Sequence, residues 1–144
     1  MKVKFIYQSD DYDLAREIVI SKLCEAVSNV LELPQELIIN IAYLGESVYA
    51  NTAVDFRFKN RVSINNILSV IEIPEVLVHE LIHVHQIHTG MLSVRRDGVY
   101  TWRNQTYKIT ETPYDDLPWE QDVVNKQKKV LKEALEFALK KPKN

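Results

Sequence analysis

The chain is poor in the residues that mark several large classes of protein. A single cysteine, Cys24, excludes an intramolecular disulfide. Its position in an apolar helical stretch favours a small buried hydrophobe over a nucleophile. Glycine and proline number only three and five among the 144 residues, so long disordered linkers are not expected. A chain of this length and composition is expected to form one domain, residues 1–144.

Long apolar runs and an excess of one charge are also missing. No stretch approaches the ~20 apolar residues that span a bilayer, and the N-terminal segment turns acidic at Asp10 before a signal-peptide core could form. We therefore expect a cytoplasmic protein with no membrane partner. The net charge of −2 gives no basic excess for nucleic acid. The lysines from Lys126 to Lys143 alternate with apolar residues, as on one solvated helix face.

Hydrophobic periodicity divides the first half of the chain into a strand, a helix and further strands. A strand over 3–7 precedes a helix that begins near Leu14 and ends before Pro34. The next strands are predicted at 37–43, within 48–58 (where Val54, Phe56 and Phe58 alternate) and at 62–67. Asn65 and Asn66 are poor strand residues, so the last of these strands is expected at an edge of its sheet.

The second half of the chain is predicted to contain two helices separated by a hairpin. Pro74 suits the first turn of a helix that continues to His88. Asp97-Gly98 is a strong turn signal in the hairpin that follows, and the last helix begins at Trp119. The order of elements predicts an α+β fold, in which an N-terminal helix and these two helices pack on a small, mostly antiparallel sheet.

The strongest chemical signal is the run His79-Glu80-Leu81-Ile82-His83, which has the spacing H-E-x-x-H. Because a helix turns ~100° per residue, His79 and His83 lie on one face and both imidazoles can reach one metal ion. Glu80 lies ~100° from His79, where its carboxylate can take a proton from a water at the metal and return it to a leaving amine. The apolar residues around this run favour a metal site over exposed histidines, because buried polar groups need partners.

Two more histidines and a glutamine follow in the same helix. His85 and His88 face away from the first pair and are expected at the surface or in support of the ligands. Gln86 lies seven residues after His79, on the metal-facing side, where it could hydrogen-bond near the site or cap a polar edge. The third histidine of the metzincin pattern falls on Thr89, which excludes that type of ligation.

A catalytic zinc needs a third protein ligand and an open position for water. Glu120 is the best candidate, since it falls in the first turn of the last helix between the apolar residues Trp119 and Val123. The alternative is that Glu120 only complements the helix dipole. Other carboxylates compete for the position: Glu111, Asp115, Asp116 and Asp122. Tyr114 could stabilise the oxyanion of the transition state or simply pack under its loop.

The chain resembles the small phage and bacterial HExxH metallopeptidases, whose pattern is HExxHxxQ followed by Y-x-x-x-P-hydrophobic-E-x-E-A. The resemblance rests on the run HELIHVHQ at 79–86, Trp102, Tyr107, Tyr114 and Pro118-Trp119-Glu120. It extends over about residues 75–126, and it implies a minimal zincin-like fold. By the same resemblance His79, His83 and Glu120 are zinc ligands, and Glu80 is the catalytic base.

The chain departs from the family pattern at Asp122 and Val123, where the pattern prefers Glu and Ala. These two departures concern the packing of the last helix rather than the metal ligands. The implied activity is hydrolysis of a peptide or protein substrate by a zinc-activated water. A zinc-binding regulatory or interaction module without turnover and a zinc amidase acting on a non-peptide amide remain alternatives. The presence of Glu80 argues against a purely structural zinc site, which needs no base. An extended substrate could dock by strand addition on the segment 62–68.

Overall fold

The computed structural model describes residues 1–52 and 60–140, so the alternating residues Val54, Phe56 and Phe58 lie outside the described part of the chain. The described residues form both helices and strands, interspersed along the chain, which confirms the α+β class. The elements are β1 (Lys2–Tyr7), α1 (Leu14–Ser28), β2 (Glu36–Ala42), β3 (Ala50–Thr52), β4 (Arg61–Asn65), α2 (Ile73–His88), β5 (Leu92–Val94), β6 (Tyr100–Trp102), β7 (Gln105–Tyr107) and α3 (Pro118–Ala138).

The larger sheet has four strands in the order β1-β2-β4-β3. β1 pairs with β2 and β2 with β4 in parallel, whereas β3 runs antiparallel to β4. The helix α1 connects β1 to β2, and a helical crossover of this kind joins parallel neighbours. This sheet is therefore mixed, and the expectation of a mostly antiparallel arrangement does not hold for it.

The strand β4 lies inside the sheet, between β2 and β3, so the prediction that it occupies an edge is wrong. Its residue Asn65 is only 1% exposed. The Asn65 side-chain amide donates to the carbonyls of Gly45 and Val48, each at 2.7 Å, and so holds the loop that leads into β3. These hydrogen bonds outweigh the low strand propensity of asparagine.

Three helices cover one face of the larger sheet and bury its apolar side chains. In β2, alternate residues Leu37, Ile39 and Ile41 are fully buried against apolar residues of α1, α2 and α3. Cys24 is buried in the same core, and this burial raises the pKa of its thiol to about 12, as fits a packing residue rather than a nucleophile. No helix in the described ranges is long and apolar enough to cross a membrane.

The smaller sheet is an antiparallel meander of β5, β6 and β7, which confirms the predicted hairpin region. The β6–β7 turn has positive φ at both Arg103 and Asn104, as its two-residue length requires. The meander packs against the beginning of α3. Tyr100 stacks on Trp119 at 5.5 Å between ring centroids, and Tyr107 meets the same ring edge-on at 5.8 Å. These contacts fix the start of the helix that carries Glu120.

Candidate metal centre

The helix α2 brings two imidazoles to one place. His79 and His83 are one helical turn apart, and their ring centroids are separated by 5.1 Å. The neighbouring residues of α2 are buried in the main core: Leu77, Val78, Leu81, Ile82 and Val84. Because those side chains anchor the helix, the two imidazoles are held facing the start of α3.

The carboxylate of Glu120 completes the group from the first turn of α3. Its Oε1 atom lies 2.8 Å from Nε2 of His83, and its Oε2 atom lies 3.7 Å from Nε2 of His79. The potential ligand atoms of the three residues all fall within 4.8 Å of one another, so this group could hold a metal ion. Two imidazole nitrogens and a carboxylate oxygen are donors that divalent transition metals accept.

Glu120 sets the charge balance of this group. The nearby carboxylate raises the pKa of His79. Burial alone would lower the pKa of His83, but the hydrogen bond and the charge of Glu120 outweigh it and the pKa rises. Burial would likewise raise the pKa of Glu120, yet its interactions with both histidines hold it well below its usual range. The carboxylate thus favours positive charge beside it, which a metal ion would also supply.

Glu80 lies beside this group without belonging to it. Its side chain is buried, and Oε2 accepts a hydrogen bond from the hydroxyl of Thr52 at the end of β3. The same hydroxyl also lies 3.2 Å from the backbone carbonyl of Glu80. Sequence reasoning did not identify Thr52, because nothing in its local sequence distinguishes it.

The fully buried side chain of Gln86 supports His83 from behind. Its Oε1 atom lies 2.8 Å from Nδ1 of His83. Its amide nitrogen donates to the Trp119 carbonyl and to a carboxylate oxygen of Asp122, each at 2.9 Å. Of the two roles foreseen for Gln86, the structure shows the hydrogen bond near the site. Asp122 in turn forms an ion pair with Lys126 at 2.9 Å.

A second glutamine, Gln127, stands behind His79. Its Oε1 atom lies 3.3 Å from Nδ1 of the imidazole, and its amide nitrogen donates to the Glu75 carbonyl at 3.1 Å. Sequence reasoning missed this residue. Its position seven residues after Glu120 is a usable signal, since two helical turns return to the same helix face.

Tyr114 reaches the group from the short turn before α3. Its hydroxyl donates to Oε2 of Glu120 at 2.5 Å, while the side chain as a whole is 63% exposed. The structure therefore places the phenol at the centre rather than packed under the loop. Burial of the phenol, followed by the hydrogen bond to Glu120, raises the pKa of Tyr114 above its usual range.

The competing residues are directed elsewhere. The three acidic residues Glu111, Asp115 and Asp116 are exposed, and none belongs to the potential metal group. His85 and His88 both face Glu32 beyond α1: Nδ1 of His85 lies 2.8 Å from its carbonyl, and Nε2 of His88 lies 4.0 Å from its carboxylate. These two histidines lie at the surface, away from the centre.

Two adjoining clefts, of which the smaller is lined by all three potential ligands, make the centre reachable from the surface. The larger has a volume of about 800 Å³ and lies on the side of Val76 and Gln127. The smaller has a volume of about 220 Å³ and lies on the side of Trp119 and Glu120. Four residues line both clefts: Ala50, His79, Glu80 and Tyr114. A molecule bound at the centre can therefore extend into the larger cleft.

Comparison of the chain with protein-family models, curated proteins and solved structures finds no match. The resemblance to the HExxH metallopeptidases therefore rests on the motif residues alone. The chemistry open to this centre follows from its donor atoms, its charges and its two clefts.

Proposed function

We propose that the protein is a zinc-dependent metallopeptidase in which His79, His83 and Glu120 hold the ion and Glu80 is the general base. The observation that carries the proposal is the convergence of two Nε2 atoms and a carboxylate within 4.8 Å, reached by two clefts. Two histidines and a glutamate are a known donor set of catalytic zinc. Zinc in such a site acidifies water and polarises a carbonyl group.

Glu80 is suited to move the proton. The Thr52 hydroxyl holds Oε2 of Glu80, which leaves Oε1 to accept a proton from the attacking water. The same carboxyl can then deliver that proton to the nitrogen of the leaving amine. A purely structural metal site needs neither a carboxylate in this position nor open clefts, so both features support catalysis over a zinc-stabilised binding module.

Tyr114 is suited to stabilise the oxyanion. A tyrosine phenol is protonated at neutral pH, and the raised pKa of Tyr114 makes its loss of the proton harder still, so it is a hydrogen-bond donor. The hydroxyl that contacts Glu120 in this structure can turn to the oxygen of a substrate carbonyl as negative charge develops there.

The substrate is proposed to lie extended along β3. Because β4 is paired on both sides, the segment 62–68 offers no free strand edge. The edge of β3 therefore takes the place of this segment as the proposed docking site. Among the described residues, β3 is paired on one side only. Ala50 of β3 lines both clefts, so a peptide added to this edge would cross the centre.

The first test is metal content and peptide cleavage of the purified protein. We expect about one zinc per chain by elemental analysis, and cleavage of members of a mixed peptide library by mass spectrometry. Glu80→Gln should keep the zinc and the fold while losing cleavage, because the amide cannot accept the proton. Glu136→Gln, at an exposed position of α3 that lines neither cleft, is the matched control and should retain activity. Wild-type turnover by Glu80→Gln, or a chain that takes up no zinc, would overturn the proposal.

A further inference from the structure

The two histidines of the centre each have a glutamine side chain as hydrogen-bond partner on the side of the ring away from Glu120. Each Nδ1 atom faces the Oε1 atom of a glutamine, Gln127 for His79 and Gln86 for His83. The amide nitrogens of both glutamines donate to oxygen atoms, which fixes which end of each amide faces the ring. A carboxamide oxygen can only accept, so each imidazole donates from Nδ1 and leaves Nε2 for a metal ion.

The two glutamines also donate hydrogen bonds across the interface between α2 and α3, one from each helix. Gln86 stands on α2 and donates to the Trp119 carbonyl on α3. Gln127 stands on α3 and donates to the Glu75 carbonyl on α2. The ligands are divided between the same two helices, so these bonds hold the interface whose spacing sets the distance from the imidazoles to Glu120.

His79 depends more on such support than His83 does. The side chain of His79 is 27% exposed against 8% for His83. Its Nε2 atom also lies farther from Glu120, at 3.7 Å against 2.8 Å. His79 is therefore the less constrained of the two, and Gln127 supplies the hydrogen bond at its Nδ1 atom.

We infer that Gln127 is a positioning residue of the metal centre, which orients His79 so that its Nε2 atom faces the ion. The inference rests on the proposed zinc site, and it assigns a role to a residue outside the HExxH motif and outside the family pattern. Loss of a hydrogen-bond partner of this kind typically lowers metal affinity by about 10–100-fold.

Three variants separate this role from a merely structural one. Gln127→Met removes both hydrogen bonds at nearly constant shape. Gln127→Glu keeps an acceptor for His79 but loses the donor to the Glu75 carbonyl. Asn125→Glu places the same added charge on an exposed position of α3, about 200° around the helix from Gln127 and so on another face. Circular dichroism checks that each variant folds, and Gln127→Ala takes the place of the methionine variant if that one does not.

Zinc affinity is measured by competition with a chromophoric chelator. We expect Gln127→Met to bind zinc about 10–100-fold more weakly, and Gln127→Glu to stay within about threefold of wild type or to bind more tightly. Asn125→Glu should match wild type. In the zinc-loaded protein, NMR of the histidine ring nitrogens should show a slowly exchanging Nδ1 proton on His79, and its exchange should accelerate in Gln127→Met.

The outcomes distinguish this inference from the proposed function. Equal zinc affinity of wild type and Gln127→Met, or equal loss in the Met and Glu variants, would overturn the positioning role while leaving the zinc site in place. Failure of the wild-type protein to bind zinc would overturn both. Zinc binding with the expected variant pattern but no cleavage of any peptide would support the inference and count against the peptidase proposal.

Discussion

At the scale of single residues, Glu120 is the point at which the contacts of the centre meet. Its two oxygens face His79, His83 and the Tyr114 hydroxyl, and it is the one member of the potential metal group that comes from α3. It therefore links the two helices electrostatically. Removal of this carboxylate takes away a potential ligand and the source of the raised histidine pKa values together.

We expect Glu120→Ala to weaken zinc binding by more than the ~100-fold that marks the loss of a supporting hydrogen bond, because two imidazoles alone rarely hold a catalytic zinc. The matched controls are Asp115→Ala and Asp116→Ala, since both carboxylates are exposed nearby and should leave zinc affinity unchanged. Competition titration gives the affinities. A zinc-bound structure with His85, His88 or either aspartate as the third ligand would contradict the assignment of Glu120.

The sequence identified the centre as far as local spacing carries information. The distance between His79 and His83 fixes a shared helix face, and the first turn of the last helix singled out Glu120. Contacts over long distances along the chain were not accessible in the same way. Thr52 meets Glu80 across 28 positions and Gln127 meets His79 across 48, and such pairings depend on how the helices and the sheet pack.

At the scale of elements, β4 shows how one buried side chain can override strand propensity. Asn65 is paired with backbone groups of Gly45 and Val48, which lie 20 and 17 positions away. The low strand propensity of asparagine predicts an edge position for β4. The sequence does not reveal which backbone groups the Asn65 side chain will meet, so it cannot predict the hydrogen bonds that allow an interior position. The direction of strand pairing is likewise set by the crossover through α1 rather than by the residues of the strands.

We expect Asn65→Ala to lower the free energy of unfolding by about 1–3 kcal/mol, because it removes the two hydrogen bonds that the buried amide donates to the carbonyls of Gly45 and Val48. Asn51→Ala, at an exposed position of the neighbouring strand β3, should change it by less than about 0.5 kcal/mol. Chemical denaturation of both variants provides the measurement. Equal stability of the two variants would show that the hydrogen bonds of Asn65 do not hold the loop.

At the scale of the whole molecule, the site lies between two helices that share the main core, so its charge state is coupled to folding. The raised pKa of each histidine stabilises the metal-free protein below the unfolded value of about 6.5, and this contribution is lost as the pH rises through the folded value. The lowered pKa of Glu120 stabilises the protein above about 4.3, and this contribution is lost as the pH falls.

We therefore expect the metal-free protein to lose stability as the pH rises above the unfolded histidine value of about 6.5, because the histidines then release their protons. Zinc requires those protons to leave, so the stabilisation that zinc adds should grow over the same range. Thermal unfolding with and without a chelator tests both slopes. Glu120→Gln should flatten the metal-free profile, and a wild-type profile that is already flat would rule out this coupling.

The aromatic packing at the start of α3 has an optical consequence. Both tryptophans of the chain, Trp102 and Trp119, belong to the cluster formed with the meander, and neither lies in α1 or in the larger sheet. Trp119 is also the immediate neighbour of Glu120 and accepts a hydrogen bond from Gln86 through its carbonyl. We therefore expect intrinsic fluorescence excited at the indole band to respond to changes near the centre more strongly than to changes at the far side of the larger sheet.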